Sequence, residues 1–325
     1  MTTELLRAVA DRVRDQYVFA DVGAEAARAL LDRQDRFDGL AGDALAGALT
    51  ATLQEVARDL HLQVRHSAEP REPSTTSQWD DPEFMAAYWS EQDAHNQGFS
   101  RVERLAGNIG LLVVHSLDEP EGTGPVVEAA LGFLARCDAI VLDVRESNGG
   151  APSGVAFLTS HFVDAPAKKL VDVIARDGTV VEQSWTTGFV RAARFPWQPL
   201  FVLTSAATPS GTEELAYGLQ GLGRARVVGE RTAGAANPVD VLVVDPHYLL
   251  RLPTVRVVHA ATGSNWEGVG VQPDLPCAAA DALQVAHREA ARTLLADPRW
   301  TCRSEAVRAE LAALAEGWPA GVRRG

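Results

Sequence analysis

The sequence predicts an α/β fold with a largely parallel core sheet, preceded by a small helical subdomain. Three observations carry this. From Arg101 onward apolar β-rich runs alternate with helical periodicity, the pattern of a parallel sheet with crossover helices. Before that, residues 1–58 are alanine-rich and helical in spacing. Third, residues 201–230 read as strand, tight turn, helix and strand.

In the N-terminal stretch Leu5, Val9, Val13 and Tyr17-Val18 recur at helical spacing, then Ala26, Ala29 and Leu30, and a third helix is expected over Asp43–Asp59. Leu60-His61-Leu-Gln-Val64 switches to alternation and predicts a strand. Residues 67–98 are polar, with Pro70, Pro73, Ser74, Thr75 and Thr76, and read as a linker or lid loop with one helical turn near Phe84–Trp89. Strands are then expected at Ile109–Val114 and Ala139–Val144, with helices at Val126–Ala135 and Val155–Phe162. A β-like excursion covers Leu170–Ser184, and a strand pair covers Val241–Val258. Helical spacing returns at Ala278–Leu295 and Ser304–Ala315. The expected boundaries are 1–66 (helical), 67–98 (linker or lid), 99–297 (α/β) and 298–325 (helical extension).

Composition narrows the partners. Hydrophobic residues make up 46% and charged residues 22% of the 325-residue chain, enough apolar content for a substantial core. The net charge of −13, with no basic stripe, argues against nucleic acid. No apolar stretch reaches the roughly 18 residues that span a bilayer, and the N-terminus shows no secretory pattern. Cys137, Cys277 and Cys302 are scattered without zinc spacing, which fits a reducing compartment, so a cytoplasmic location and no bound metal or cofactor are expected. The only lysines are Lys168 and Lys169.

Four spots hold residues suited to chemistry. Ser210 stands where the turn Ala206-Ala-Thr-Pro-Ser-Gly211 enters a helix expected over Thr212–Leu222, where free N–H groups and the helix dipole favour an oxyanion. It reads equally as a helix cap, with Glu213 completing a capping box. Gly149-Gly150 close an apolar strand, and their amides suit oxyanion donation; the same pair also reads as a flexible turn, with Asp143 and Arg145 as ion-pair partners. His61, at a helix-to-strand junction, is expected to be exposed enough to serve as a proton acceptor and has the right pKa range for it. Glu267, in the turn-rich run Gly263–Asp274, could orient such a base or be a surface acid.

Together these motifs resemble the tail-specific (carboxy-terminal processing) protease superfamily, in the branch of the tricorn core and the interphotoreceptor retinoid-binding repeats. The carrying segments are Asp59-Leu-His61-Leu-Gln-Val64, Val102–Gly110, Leu142-Asp-Val-Arg-Glu-Ser-Asn-Gly-Gly150, Leu203–Glu214, Val228-Gly-Glu-Arg-Thr-Ala-Gly234 and Asn265-Trp-Glu-Gly-Val-Gly-Val-Gln-Pro-Asp274. The resemblance implies a crotonase-like (ββα) α/β core, with Ser210 as nucleophile, His61 as general base and Glu267 as the carboxylate behind it. Gly211 and Gly149 or Gly150 would supply the oxyanion hole. Where many members carry a dyad lysine this chain has Ala235-Ala-Asn-Pro238, which leaves the histidine variant. Leu60 replaces the serine that precedes the histidine in the tricorn branch, and Pro209 replaces a common bulky apolar residue.

The function implied is peptide cleavage by acyl transfer. Two others stand beside it: a binding module for small apolar ligands, and the same scaffold turned to an ester, amide or cyclisation substrate. The partner expected is a peptide or small-molecule substrate, with no nucleic acid and no membrane; self-association as a homo-oligomer is left open.

Overall fold

The computed structural model describes residues 2–72, 77–300 and 303–317. Its elements run α1 (Thr2–Gln16), α2 (Ala20–Asp32), α3 (Gly42–Ala57), β1 (Gln63–His66), α4 (Pro82–Ala94), β2 (Phe99–Leu105), β3 (Ile109–Val114) and α5 (Pro120–Leu134). Then come β4 (Ala139–Asp143), α6 (Pro152–Ser160), β5 (Lys169–Ala175), β6 (Val180–Trp185), β7 (Leu200–Thr204), α7 (Ser210–Gly221) and β8 (Arg226–Gly229). The last are β9 (Val239–Asp245), β10 (Tyr248–Pro253), β11 (Val255–His259), β12 (Leu275–Pro276), α8 (Ala282–Ala296) and α9 (Glu305–Glu316). The chain divides into two units, each assembled from separated segments: residues 1–91, 171–183 and 234–268 form the first, and the remainder forms the second.

In the first unit, the apolar face of α1 (Leu5, Leu6, Val9, Val13) is buried with Ala26, Ala27 and Leu30 of α2 and Leu45, Leu49 and Leu53 of α3. Each fully buried Leu or Val contributes roughly 1.5–3 kcal/mol. The core also takes in Leu62, Val64, Leu242, Leu250 and Leu252. The last three come from β9 and β10, which pair antiparallel with β1 in the order β1-β10-β9. The helical N-terminus therefore closes its core with chain drawn from well past residue 230.

The second unit is built on a six-stranded sheet, ordered β12-β8-β7-β4-β3-β2. Every neighbouring pair is parallel except the edge hairpin β2–β3. Alternate residues point to opposite faces. Leu111, Val141, Phe201, Leu203 and Val228 pack under Ala282, Ala286, Ala290 and Leu294 of α8, with Leu311 and Leu314 of α9. The helix after residue 304 is thus part of this core. Ile140, Leu142, Val202 and Val227 are buried outside that cluster.

The mixed α/β class and the N-terminal helical region are as predicted, and several element bounds differ. The strand expected over Leu60–Val64 begins only at Gln63, because Arg58 takes a left-handed conformation (φ 52°) that ends α3 and sends residues 59–62 through a turn. The single turn expected near Phe84–Trp89 is a 13-residue helix that buries none of its side chains. Its aromatics Phe84 and Tyr88 pack instead on Trp79, which precedes the helix, at centroid distances of 5.4 and 5.5 Å. The strand pair expected over Val241–Val258 is three strands, split at Pro246-His247 and Thr254. Asp143 and Arg145 form the expected ion pair, at 2.8 Å (Nε to Oδ1) and 2.6 Å (Nη2 to Oδ2). Cys137 is buried and its thiol is pushed up to about 11 by burial, Cys277 is half-buried, and Cys302, Pro73, Ser74, Thr75 and Thr76 lie outside the described residues. Among the described residues no helix is long and apolar enough to cross a membrane.

Burial pushes His259, in the first unit, down to about 4. Its folded pKa lies below the unfolded value of roughly 6.5, so the folded state binds the proton less readily. The stability this contributes is complete above about pH 6.5 and lost as pH falls toward 4. Urea unfolding across that window should show the decline, and His259→Gln should flatten it.

Candidate active site

Ser210 is the first residue of α7, directly after the β7 turn, and its φ is +52°. That left-handed conformation costs a non-glycine residue about 1–2 kcal/mol, so the surroundings must hold it. They do so through Glu213, which is fully buried. Its Oε2 accepts the Ser210 amide at 2.8 Å, and its Oε1 accepts the hydroxyl of Thr232. Thr232 Oγ1 in turn accepts the Val271 amide at 2.7 Å. Half of the expected capping box therefore forms, from Glu213 to the Ser210 N–H. The helix cap is Pro209, so Ser210 stands one residue inside the cap position rather than at it.

Gly149 and Gly150 pack backbone to backbone around this turn. A Cβ on Gly149 would lie 3.0 Å from Ser210 Cβ, and one on Gly211 would lie 2.5 Å from the Gly150 carbonyl oxygen. Only glycine allows so close an approach. Gly149 donates its amide to Ser147 Oγ at 3.1 Å. Within the second unit the structure thus gathers four of the residues singled out from sequence: Ser210, Gly211, Gly149 and Gly150.

The first unit gathers the others. One donor atom each from Asp59, His61 and Glu267 lie within 4.8 Å of one another. His61 was expected to be exposed at its junction; it is buried, at 8%. Burial is the main reason its pKa lies below the ordinary value, with Arg251 adding to the effect and Asp59 opposing it. The ring is therefore neutral at pH 7, as a proton acceptor must be. Glu267 is no surface acid. Its Oε2 accepts the amides of Ala236 and Asn237 at 2.6 and 3.1 Å. Trp266, beside it, is buried and donates its indole N–H to the Ala235 carbonyl at 3.2 Å.

Sequence reasoning gave no role to Asp59, Tyr17 or Asn237. Asp59 is 1% exposed; its Oδ1 accepts the His61 amide at 2.9 Å, and its Oδ2 accepts the Tyr17 hydroxyl at 3.0 Å and Asn237 Nδ2 at 3.2 Å. The signal available was its place two residues before the histidine, where an aspartate commonly turns back on the backbone. One imidazole and two carboxylates are also chemically suited to a divalent cation. Both carboxylates already accept hydrogen bonds from the protein, and we assign them no metal role.

The chain has known counterparts. Residues 108–277, just over half of the chain, match the model of peptidase family S41, and the chain belongs to that family. Residues 1–99 match the N-terminal domain of peptidase S41 in eukaryotic IRBP. Among curated proteins the chain is 29% identical over 137 residues to a carboxyl-terminal-processing protease of Synechocystis sp., taking in 42% of this chain and 28% of that protein. A second such protease, from Picosynechococcus sp., matches over 30% of its length, so the matches span under a third of these relatives. Among solved structures, a Parabacteroides merdae protein is similar at a TM-score of 0.60 and 17% identity, covering 85% of this chain and 90% of that one. The photosystem II D1 C-terminal processing protease is similar at 0.54 and 14%, covering 92% and 98%. At these identities the structural likeness speaks for the fold alone.

The strain at Ser210 can be measured. Ser210→Gly and Ser210→Ala both remove the hydroxyl, but only glycine tolerates φ +52° freely. The glycine variant should be the more stable by about 1 kcal/mol in urea unfolding; equal stabilities would show that the turn relaxes.

Proposed function

We propose that this protein is a serine peptidase in which Ser210 is the nucleophile, His61 its general base and Glu267 the carboxylate behind that base. The observation that carries the reading is the turn at Ser210. A strained backbone, locked by a buried carboxylate, holds this serine at a helix entrance, one residue inside the cap.

In the reaction, Ser210 Oγ attacks a peptide carbonyl carbon while its proton passes to the His61 imidazole. The carbonyl π electrons move to oxygen, and the amides of Gly211 and Gly150 are its expected donors, since that of Gly149 already serves Ser147. The C–N bond then breaks, and the amine leaves with the proton from His61, giving an acyl-enzyme. Water repeats the sequence: His61 takes its proton, the hydroxide oxygen adds to the acyl carbon, and the ester bond to Ser210 breaks as that proton returns to Oγ. The imidazolium formed twice in this cycle is the species that nearby carboxylates stabilise. The names of the curated relatives suggest cleavage toward the C-terminal end of a protein substrate.

The match of residues 1–99 to a domain of eukaryotic IRBP supports a second reading, a carrier of small apolar ligands. One experiment separates the two. A fluorophosphonate probe should label the wild-type protein and leave Ser210→Ala unlabelled, with His61→Ala reducing the labelling rate by roughly 10²–10⁴-fold. An unlabelled wild-type protein that binds retinoid tightly would support the carrier. Turnover of peptide against ester libraries distinguishes a peptidase from an enzyme redirected to esters.

The pH profile gives an independent check. The base works when neutral, and burial holds His61 below the ordinary imidazole value. Peptide kcat/KM should therefore rise with pH, with its midpoint below the ordinary imidazole value of about 6.5. A midpoint above 7 would point to a different base.

A further inference from the structure

We propose that Asp59 is a positioning residue for the reaction, a second carboxylate that fixes the His61 imidazole and balances the charge it acquires. This rests on His61 being the base. The argument starts from the turn after α3. Asp59 is buried, and its Oδ1 accepts the His61 backbone amide, so the residue that carries the imidazole is tied to the carboxylate two positions earlier. Its Oδ2 is held by two side chains from elsewhere in the same unit, the phenol of Tyr17 at the end of α1 and the amide of Asn237. Asn237 also donates its backbone amide to Glu267, so one residue bridges the two carboxylates.

A buried carboxylate is stable only when hydrogen-bonded or paired with a cation. Asp59 has three donors, and its carboxylate lies within 4.8 Å of the imidazole. Those donors hold the carboxylate in place whether or not His61 is protonated, so it is preorganised beside the imidazole. The charged and titratable groups around the ring are Asp59, Glu267, Tyr17 and Arg251, the last on β10 and opposing protonation. Tyr17 stays un-ionised, because burial and the neighbouring Asp59 raise its pKa far above the ordinary phenol range. Of the groups acting on His61, Asp59 is the strongest that favours its charged form. Where the tricorn branch carries a serine beside the histidine this chain has Leu60, 43% exposed, and support for the ring comes from the residue before it.

The test follows the His61 ring by NMR titration in Ser210→Ala protein, which needs no turnover, and kcat and KM in protein with Ser210 intact. Asp59→Asn should lower the His61 pKa by about one pH unit and reduce kcat about tenfold or more, leaving KM within about twofold. Tyr17→Phe frees one oxygen of Asp59 from its donor and should move the His61 pKa the other way. A merely structural Asp59 would not give shifts of opposite sign. An unmoved His61 titration in folded Asp59→Asn, or an unchanged kcat, overturns the proposal. Should Asp59→Asn not fold, Tyr17→Phe decides: an upward shift supports the role and an unmoved ring overturns it. If wild-type protein hydrolyses no peptide, the peptidase reading and with it the catalytic role fall, while the titration still reads the Asp59–His61 tie separately.

Discussion

The grip of Glu213 on the Ser210 amide is the interaction on which the candidate nucleophile depends. A serine at φ +52° would relax to ordinary helical geometry if nothing opposed it. Glu213 opposes it from inside the protein, where a carboxylate without partners would be costly. Thr232 meets the other oxygen, and Val271 meets Thr232, so the turn is tied to two further segments of its own unit. The sheet supplies the rigid base: β7 is fully buried and hydrogen-bonded on both sides, by β4 and β8. A turn launched from such a strand has little freedom, and the strain is stored rather than released.

The same logic recurs around His61 with different parts. There the buried carboxylate is Asp59, and the donors are a backbone amide, a phenol and a side-chain amide. Both candidate half-sites thus use a buried, hydrogen-bonded acid to set the backbone of a candidate catalytic residue. Glu267 adds a third acid, holding the loop at Ala236-Asn237. Burial also sets the protonation state: desolvation, more than any one neighbour, keeps the imidazole neutral.

The backbone demands of the candidate site's motifs were legible because they are local. A Gly-Gly pair after an apolar strand and a Ser-Gly at a helix entrance each require a particular backbone, and the structure supplies it at Gly149, Gly150, Ser210 and Gly211. Capping was legible only by half. Sequence spacing places Glu213 three residues after Ser210, but it does not say which of the two possible hydrogen bonds forms. The exposure of His61 was misjudged because burial at a turn depends on what packs over it. The roles of Tyr17 and Asn237 left no trace in spacing, since they reach Asp59 from 42 and 178 residues away.

By itself the sequence determined the alternating α/β core, the helical N-terminus and the family, because periodicity and short motifs report local backbone demands that neighbouring residues must satisfy. Only the tertiary structure decided that residues 234–268 fold with the N-terminal helices, which is what brings Glu267 and Asn237 to His61 and Asp59. It also decided that α9 seals the second core. Such choices rest on which apolar faces bury one another across long loops, and no local pattern records a partner that distant in the chain.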